Sequence, residues 1–531
     1  MASTDQVQDL RRRLKTKQYD PDDCIAAIKG QRIPSALGLP LLRLCTIRGI
    51  RFNDGFAKDL RGILPSFTRA LNARDIMSNR VPVIASDEET PYCIWHPEVA
   101  SESTYRQLVT AYPQMSYQVG RACAVAGYSD LYKELDIVPE VHIAEEAREC
   151  GNLAIFDRIM AQPTRYEVMN DYTRTINASS ANLPVAHLNG DTAVESSLNV
   201  RQEFSSADVP EIIDGVECIT SLDGPGYREN IFDITEDMNI DIVNRYPLAE
   251  AEGHDVRHGE LLVRLLTEPL PTELPTVDKD LLLLMAAYYG DIDRYARLRR
   301  PSMITGEYEC CVRGVYHNTM FAVWWSKQAR PKGRAGWKLS QAICARFIMN
   351  NVLSKVTDEA FDMPYLIWYP AIASESTYRK LAEMSPGMLP QILRACIVAN
   401  YAELFDSLAA TTVPDEAVVK EAEKSTNPHF HSVLANRVEE VGQTELGPFE
   451  RWKLETSDRL FEWSSKWIWK TMAKANPQTY GDELQYNGTV CAAGDVELMA
   501  CLPDEWRISE GGETGPEPLD YVNWPPEGKR P

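Results

Sequence analysis

The chain contains a large duplication, and no fold is admissible that cannot be built twice. Pro91 to Leu108 reads PYCIWHPEVASESTYRQL and Pro364 to Leu381 reads PYLIWYPAIASESTYRKL; thirteen of these 18 positions are identical. The segment Ala-Ser-Glu-Ser-Thr-Tyr-Arg occurs whole in both, at Ala100–Arg106 and Ala373–Arg379. Upstream, Cys45-Thr46-Ile47-Arg48-Gly49 answers Cys310-Cys311-Val312-Arg313-Gly314, and Asn53, Phe56 and Ala57 answer Asn318, Phe321 and Ala322. ARDIMSN (Ala73–Asn79) answers ARFIMNN (Ala345–Asn351), and downstream Arg121-Ala122-Cys123 answers Arg394-Ala395-Cys396. Residues 36–161 and 301–436 are therefore two copies of one structural unit.

A smaller repeat lies inside the larger one. Five windows share a plan: Ala286–Leu298, Cys123–Leu135, Cys396–Leu408, Ala147–Ile159 and Val490–Leu502. Small residues come first, Gly or Asn is fifth (Gly290, Gly127, Asn400, Gly151, Gly494), and a large aliphatic residue closes the window. Gly and Asn tolerate the left-handed conformation that ends a helix. The apolar residues after the turn, spaced three and four apart, form one stripe of a second helix. One such pair cannot bury enough apolar surface to offset the backbone entropy of ordering it, about 1–2 kcal/mol per residue. Stacking neighbours remedies this, and the expected fold is mainly α, a helical-repeat solenoid with an internal duplication and an irregular acidic insert.

These windows resemble the ankyrin repeat. Leu283–Leu298, LLMAAYYGDIDRYARL, is similar to the ankyrin A-A-x-x-G turn and the helix after it. No window carries the T-P-L-H opening, and the hairpin signature between repeats is missing. The unit with P-Y-x-I-W-x-P before A-S-E-S-T-Y-R also resembles uncharacterised ankyrin-type proteins of filamentous fungi. The resemblance implies antiparallel helix pairs stacked side by side, and brings no reaction with it.

Charge narrows the partners. With 55 Lys and Arg against 77 Asp and Glu, the net charge is -22. That opposes bulk binding to nucleic acid or anionic membrane, where Lys and Arg must neutralise phosphates. Between Arg201 and Asp280 there are 19 Asp and Glu against 6 Lys and Arg, so this stretch alone carries a balance of -13. The N-terminal stretch has no apolar core of a secretory signal. The longest apolar run, Leu281–Tyr289, is about half the roughly 20 residues a spanning helix needs. The 12 Cys have no regular spacing and several lie in apolar helical windows, as buried reduced thiols do. A cytoplasmic or nuclear protein is expected.

The expected organisation is an N-terminal extension over 1–35, a first helical unit over 36–161, and an acidic insert of unassigned fold over 162–280. A second helical unit over 281–440 begins with the ankyrin-like pair. A C-terminal helical unit over 441–502, with the Trp-rich FEWSSKWIWKTMAK, and a disordered tail over 503–531 complete it.

Candidate chemistry is sparse. His254 and His258 stand four apart, a metal-holding spacing on a helix, but the position after His254 is Asp255 rather than the protease Glu, and Gly253 and Gly259 flank the pair. No third ligand is indicated by spacing, and a solvated charged segment is the simpler explanation. His429 and His431 come after Asn427-Pro428 in an inter-helix turn, and Cys310-Cys311 fits a buried helical face. No phosphate-cradling glycine loop or nucleophile elbow is present, and no cofactor is expected. The duplicated Trp95/Trp368, Tyr105/Tyr378 and Arg106/Arg379 are candidate protein-binding residues, since Trp, Tyr and Arg dominate interface hot spots. The competing explanation is packing between repeats, with Ser101/Ser374 or Ser103/Ser376 capping the next helix. Three functions remain open: a protein-interaction scaffold without catalysis, its acidic face suited to a basic partner; a metal-assisted enzyme in the middle region; and a nuclear coregulator acting through the repeats.

Overall fold

A computed structural model describes residues 4–189 and 261–447, apart from 19, 172, 180–182, 262–263, 276–278, 301–302, 304–306, 332–333 and 357–362. The Val490–Leu502 window, the Trp-rich stretch, the tail and the His254–His258 pair lie outside the described residues. The chain divides into two compact units, residues 1–253 with 270–277, and residues 254–269 with 278–531.

The described residues are mainly helical. The first unit contains α1 (Thr4–Lys15), α2 (Pro21–Ile28), α3 (Pro40–Phe52), α4 (Pro65–Met77), α5 (Glu102–Ala111), α6 (Ser116–Ala126), α7 (Ser129–Glu134), α8 (Val141–Glu149) and α9 (Leu153–Met160). A two-residue antiparallel pair comes next, β1 (Met169–Asn170) and β2 (Thr175–Ile176), with Met169 opposite Ile176. The second unit contains α10 (Lys279–Tyr289), α11 (Ile292–Leu298), α12 (Glu307–His317), α13 (Thr319–Trp325) and α14 (Arg334–Met349). It continues with α15 (Glu375–Met384), α16 (Leu389–Ala399), α17 (Ala402–Ala409), α18 (Glu416–Glu423) and α19 (Pro428–Val441).

Four of the five sequence windows fall on described residues, and in each the fifth residue turns the chain. Gly127, Gly151 and Gly290 have φ of 76°, 71° and 69°, and Asn400 has φ of 56°. Each ends one helix and lets the next fold back. The helices then pack by alternate members. In the second unit α10 packs on α12 and α12 on α14, while α11 packs on α13; further on, α16 packs on α18 and α17 on α19. In the first unit α6 packs on α8 and α7 on α9. First helices thus stack on first helices, and second on second.

Close approach is set by single glycines. A Cβ built on Gly49 of α3 would lie 1.9 Å from the Ala27 carbonyl oxygen of α2; one on Gly314 of α12 would lie 2.0 Å from the Ala287 oxygen of α10. Only a residue without a side chain lets these backbones touch. The equivalence of α2 with α10 extends the duplication upstream of Ala36. Ala26-Ala27-Ile28-Lys29-Gly30 answers Ala286-Ala287-Tyr288-Tyr289-Gly290, a match that the sequence shows once the helices are known.

The first unit continues past α9. Val168, Met169 and Leu188 are buried in its core beside Ile143 and Ala147. The Tyr166 amide donates to the Pro139 carbonyl at 2.9 Å, and Leu274 N to the Leu188 carbonyl at 2.8 Å. Residues 166–188 and Leu274, from the expected acidic insert, are therefore part of this unit, while Lys279 and Asp280 open α10 of the second.

Candidate functional site

The duplicated loop and helix form the same polar core in both units. Asn79 and Asn351, with φ of 62° and 64°, close the preceding helix and present a side-chain oxygen to the next. Asn79 Oδ1 accepts from Ser101 N at 2.7 Å, and Asn351 Oδ1 from Ser374 N at 2.8 Å. Ser101 Oγ in turn accepts from Thr104 N at 3.3 Å, starting α5. Ser101 and Ser374 are the residues before the first turns of α5 and α15; Ser103 and Ser376 lie inside them and are exposed.

The tyrosine of each helix points inward. Tyr105 donates to the Ile94 carbonyl at 2.9 Å and accepts from Ala100 N at 3.0 Å. Tyr378 donates to the Ile367 carbonyl at 2.8 Å and accepts from Ala373 N at 3.2 Å. Burial raises both phenols above their ordinary range. Trp95 and Trp368 are 3% and 1% exposed. Each carries an arginine on its face, Arg121 at 4.9 Å and Arg394 at 4.7 Å from the ring centroid. Those arginines are fully buried and paired, Arg121 Nε with Glu146 at 2.8 Å and Arg394 Nη2 with Glu421 at 2.6 Å. A buried ion pair holds only when geometry and hydrogen bonds repay desolvation; here the indole face and the carboxylate do so together.

The six candidate binding residues therefore separate. Trp95, Tyr105, Trp368 and Tyr378 are core residues and not surface anchors, because a side chain enclosed by its own fold cannot meet a partner. Arg106 and Arg379 are exposed. Arg106 bridges Glu102 at 2.8 Å and Glu134 at 3.0 Å, and Arg379 pairs with Glu375 at 2.6 Å. The other candidates also find places. Cys310 and Cys311 are buried, and the Cys311 thiol donates to Tyr295 Oη at 3.2 Å. His429 lies in the first turn of α19 and pairs with Asp406 at 2.8 Å on the surface. His431 is two residues along the same helix, so the rings face different directions and hold no ion between them. Among the described residues no cysteine is in a disulfide and no group of three metal-ligating side chains assembles.

The first unit adds a carboxylate that has no signal in the duplicated sequence. Asp171, next to β1, pairs with Arg121 Nη1 at 2.6 Å and accepts a hydrogen bond from Tyr92. Burial pushes its carboxyl up, but Arg121, His142 and Tyr92 together outweigh burial and hold it at about 2. Glu140, before α8, accepts from Ile143 N at 2.9 Å and lies 2.7 Å from His142 Nδ1. Burial opposes charge on His142, yet Glu140 and Asp171 raise it to about 10. In the second unit Asp415 takes the place of Glu140, capping α18 through Val418 N at 2.8 Å. Arg394 there meets the Tyr365 hydroxyl at 3.3 Å.

Two exchanges between the units show how a contact survives substitution. Arg51 donates to the Cys93 carbonyl at 3.3 Å; its counterpart Tyr316 donates to the equivalent Leu366 carbonyl at 3.0 Å. The next residue, Phe52, meets His96 edge-on at 5.8 Å; its counterpart His317 meets Tyr369 edge-on at 5.5 Å. The imidazole has moved from the loop to the helix end.

Fold and site together define a class: a helical protein of two duplicated units, each built on stacked helix pairs and a buried Trp–Arg–Glu cluster. Within it, residues 95–200 match a family model described as the YKP1 C-terminal domain. Over 67 residues, 13% of the chain, the sequence is 28% identical to an uncharacterized killer plasmid pGKl-2 protein 1 of Kluyveromyces lactis. The aligned part is 30% of that relative's own length. No solved structure matches. The family match begins at Trp95 and takes in Arg121, Glu140, His142, Glu146 and Asp171, the whole buried cluster of the first unit but Tyr92. No described helix is long and apolar enough to cross a membrane.

Proposed function

We propose that this chain is a non-catalytic protein-interaction scaffold, an ankyrin-like solenoid acting in the cytoplasm or the nucleus. The observation that carries this reading is the alternate packing of first helices on first helices and second on second, which is how repeat arrays make an extended binding face. The left-handed Gly and Asn turns between paired helices agree with it. The net charge of -22 favours a basic protein partner, through steering more than through affinity.

Affinity capture with the full chain and with a chain lacking residues 191–260 tests the assignment. The deletion starts after 190 because Asp171 and Leu188 belong to the first unit's core. A partner retained by the shortened chain places binding on the helix pairs. A partner lost with the deletion, or turnover of a substrate by the purified chain with no partner added, overturns the proposal.

A further inference from the structure

The two units differ in surface chemistry where α12 hands over to α13. The positions that are Gly55, Lys58 and Asp59 in the first unit, all exposed, are Met320, Val323 and Trp324 in the second. Met320 is 63% exposed, and Val323 and Trp324 are half-buried. Met320, Trp324 and Lys327 stand three and four residues apart, so they share one face of the turn. The Trp324 ring lies parallel to Phe321 at 5.9 Å, with an interplanar angle of 7°. From the end of α11, Arg299 reaches over Trp324 at 5.4 Å and donates to Gln328 Oε1 at 3.2 Å. An aromatic ring fixed by stacking, an exposed thioether and an arginine held beside them are the components of an interface hot spot.

Charge identifies what would cover this face. Between Cys310 and Thr357 the sequence has eight Lys and Arg and no Asp or Glu, a balance of +8 inside a chain of net -22; of these, Lys327 and Arg330 are exposed while Arg313 and Lys338 are buried. The equivalent stretch of the first unit, Cys45 to Ala85, has seven Lys and Arg against three Asp, a balance of +4. The second unit has thus lost its acids where it gained apolar side chains. We propose that the outer face of α11 and α13, centred on Trp324, Met320 and Arg299, is a docking surface for an acidic amphipathic segment of a partner protein. This deepens the scaffold reading, on which it rests, by giving the second unit a partner chemistry of its own. The aliphatic Met320 and Val323 suit leucine or phenylalanine side chains, and Arg299 with the exposed Lys327 and Arg330 suits the carboxylates between them. An RNA strand offers phosphates without the apolar side chains that Met320 and Val323 would cover.

The test uses the full chain and a labelled synthetic peptide with Leu and Phe at i, i+3 and i+4 among Asp and Glu, read by fluorescence anisotropy. A peptide with Lys in place of the acids and a single-stranded RNA oligonucleotide are run beside it. The acidic peptide is expected to bind and quench Trp324, and binding is expected to weaken with salt. Val323→Lys with Trp324→Asp, the residues the first unit carries, is expected to weaken it by about ten-fold or more. Met320→Gln, on a side chain the fold does not use, is expected to give a smaller loss if the double variant does not fold. No binding of the acidic peptide, equal binding by the variants, equal binding of the basic peptide, or preferential binding of the RNA would each overturn the proposal. Because the probes are defined peptides, that result leaves the partner-capture experiment standing by itself.

Discussion

Arg121 and Arg394 occupy the same place on the same helix, over the same tryptophan, yet they are neutralised differently. Arg121 faces Glu146 and Asp171, with Tyr92 held by Asp171. Arg394 faces Glu421 and the Tyr365 hydroxyl. The shared part is the cation, one carboxylate and the indole. The variable part is the ligand that completes the guanidinium. In the first unit it comes from chain beyond the repeats, so residues 166–171 are tied into the core through a charge. The comparison teaches that the cluster has a fixed half, which the duplication copied, and an open half that each unit completes from a different part of its own chain.

The strongest way to break the comparison is to remove the cation. Arg121→Ala and Arg394→Ala should each destabilise by about 3–5 kcal/mol, since a buried carboxylate is left unpaired. Urea unfolding with exchange-detected readout of each unit would show this, and a loss below about 1 kcal/mol in either variant would refute the role of its cation in the core. Gly49→Ala and Gly314→Ala should both cost about 1–3 kcal/mol or more through overpacking. Their near-equality by thermal unfolding tests whether α2–α3 and α10–α12 are one design. Tyr105→Phe and Tyr378→Phe each strand a buried carbonyl and an amide, at about 1–3 kcal/mol each, and should again agree.

The histidines sharpen the contrast with opposite signs. His142 is raised above its ordinary 6.5 to about 10. Its contribution to stability is therefore complete below pH 6.5 and fades as pH rises toward 10. The second unit has Ala417 there. His317 is lowered well below 6.5, by burial first and then by Arg313 and Arg346. Its contribution is present above pH 6.5 and fades as pH falls below it. Hydrogen exchange measured across pH should show the first unit loosening in alkali, an effect abolished by His142→Ala, and the second loosening in acid, an effect abolished by His317→Phe. Parallel profiles would contradict the assignment. The smallest effect is expected from Arg106→Ala and Arg379→Ala, which remove exposed ion pairs. The melting temperature should not move in either.

Much of this was legible before any coordinate. The Gly and Asn turns derive from a residue's ability to adopt positive φ, and the equivalence of the two halves derives from identity alone. The inward course of Trp95 and Tyr105 was legible only in part: repetition favours the core, since packing between repeats requires it, but an interface can reuse the same residues, and the burial of Trp95 with the hydrogen bonds of Tyr105 to Ile94 O and from Ala100 N decides. Asp171 was hidden for another reason. It is one acid in a polar stretch, and its partner Arg121 lies 50 residues earlier, so no local pattern marks it. The kinship of α2 with α10 rested on Ala26, Ala27 and Gly30, three small residues whose meaning is a backbone contact. The acid-free run after Cys310 was visible as composition. Its significance came from seeing which of its residues face outward.

The exchanges at Arg51/Tyr316 and Phe52/His317 carry one more consequence, for anyone who would splice these units. The two residues ending α3 and the loop around His96 form a matched set, as do those ending α12 and the loop around Tyr369. A chimera with its junction between helix and loop would set Phe52 beside Tyr369, or His317 beside His96, replacing each mixed imidazole pair by one with no imidazole or with two, while keeping a donor to the carbonyl. Joints that transplant cleanly therefore lie before the helix or after the loop, so the heritable module is longer than the stretch of highest identity.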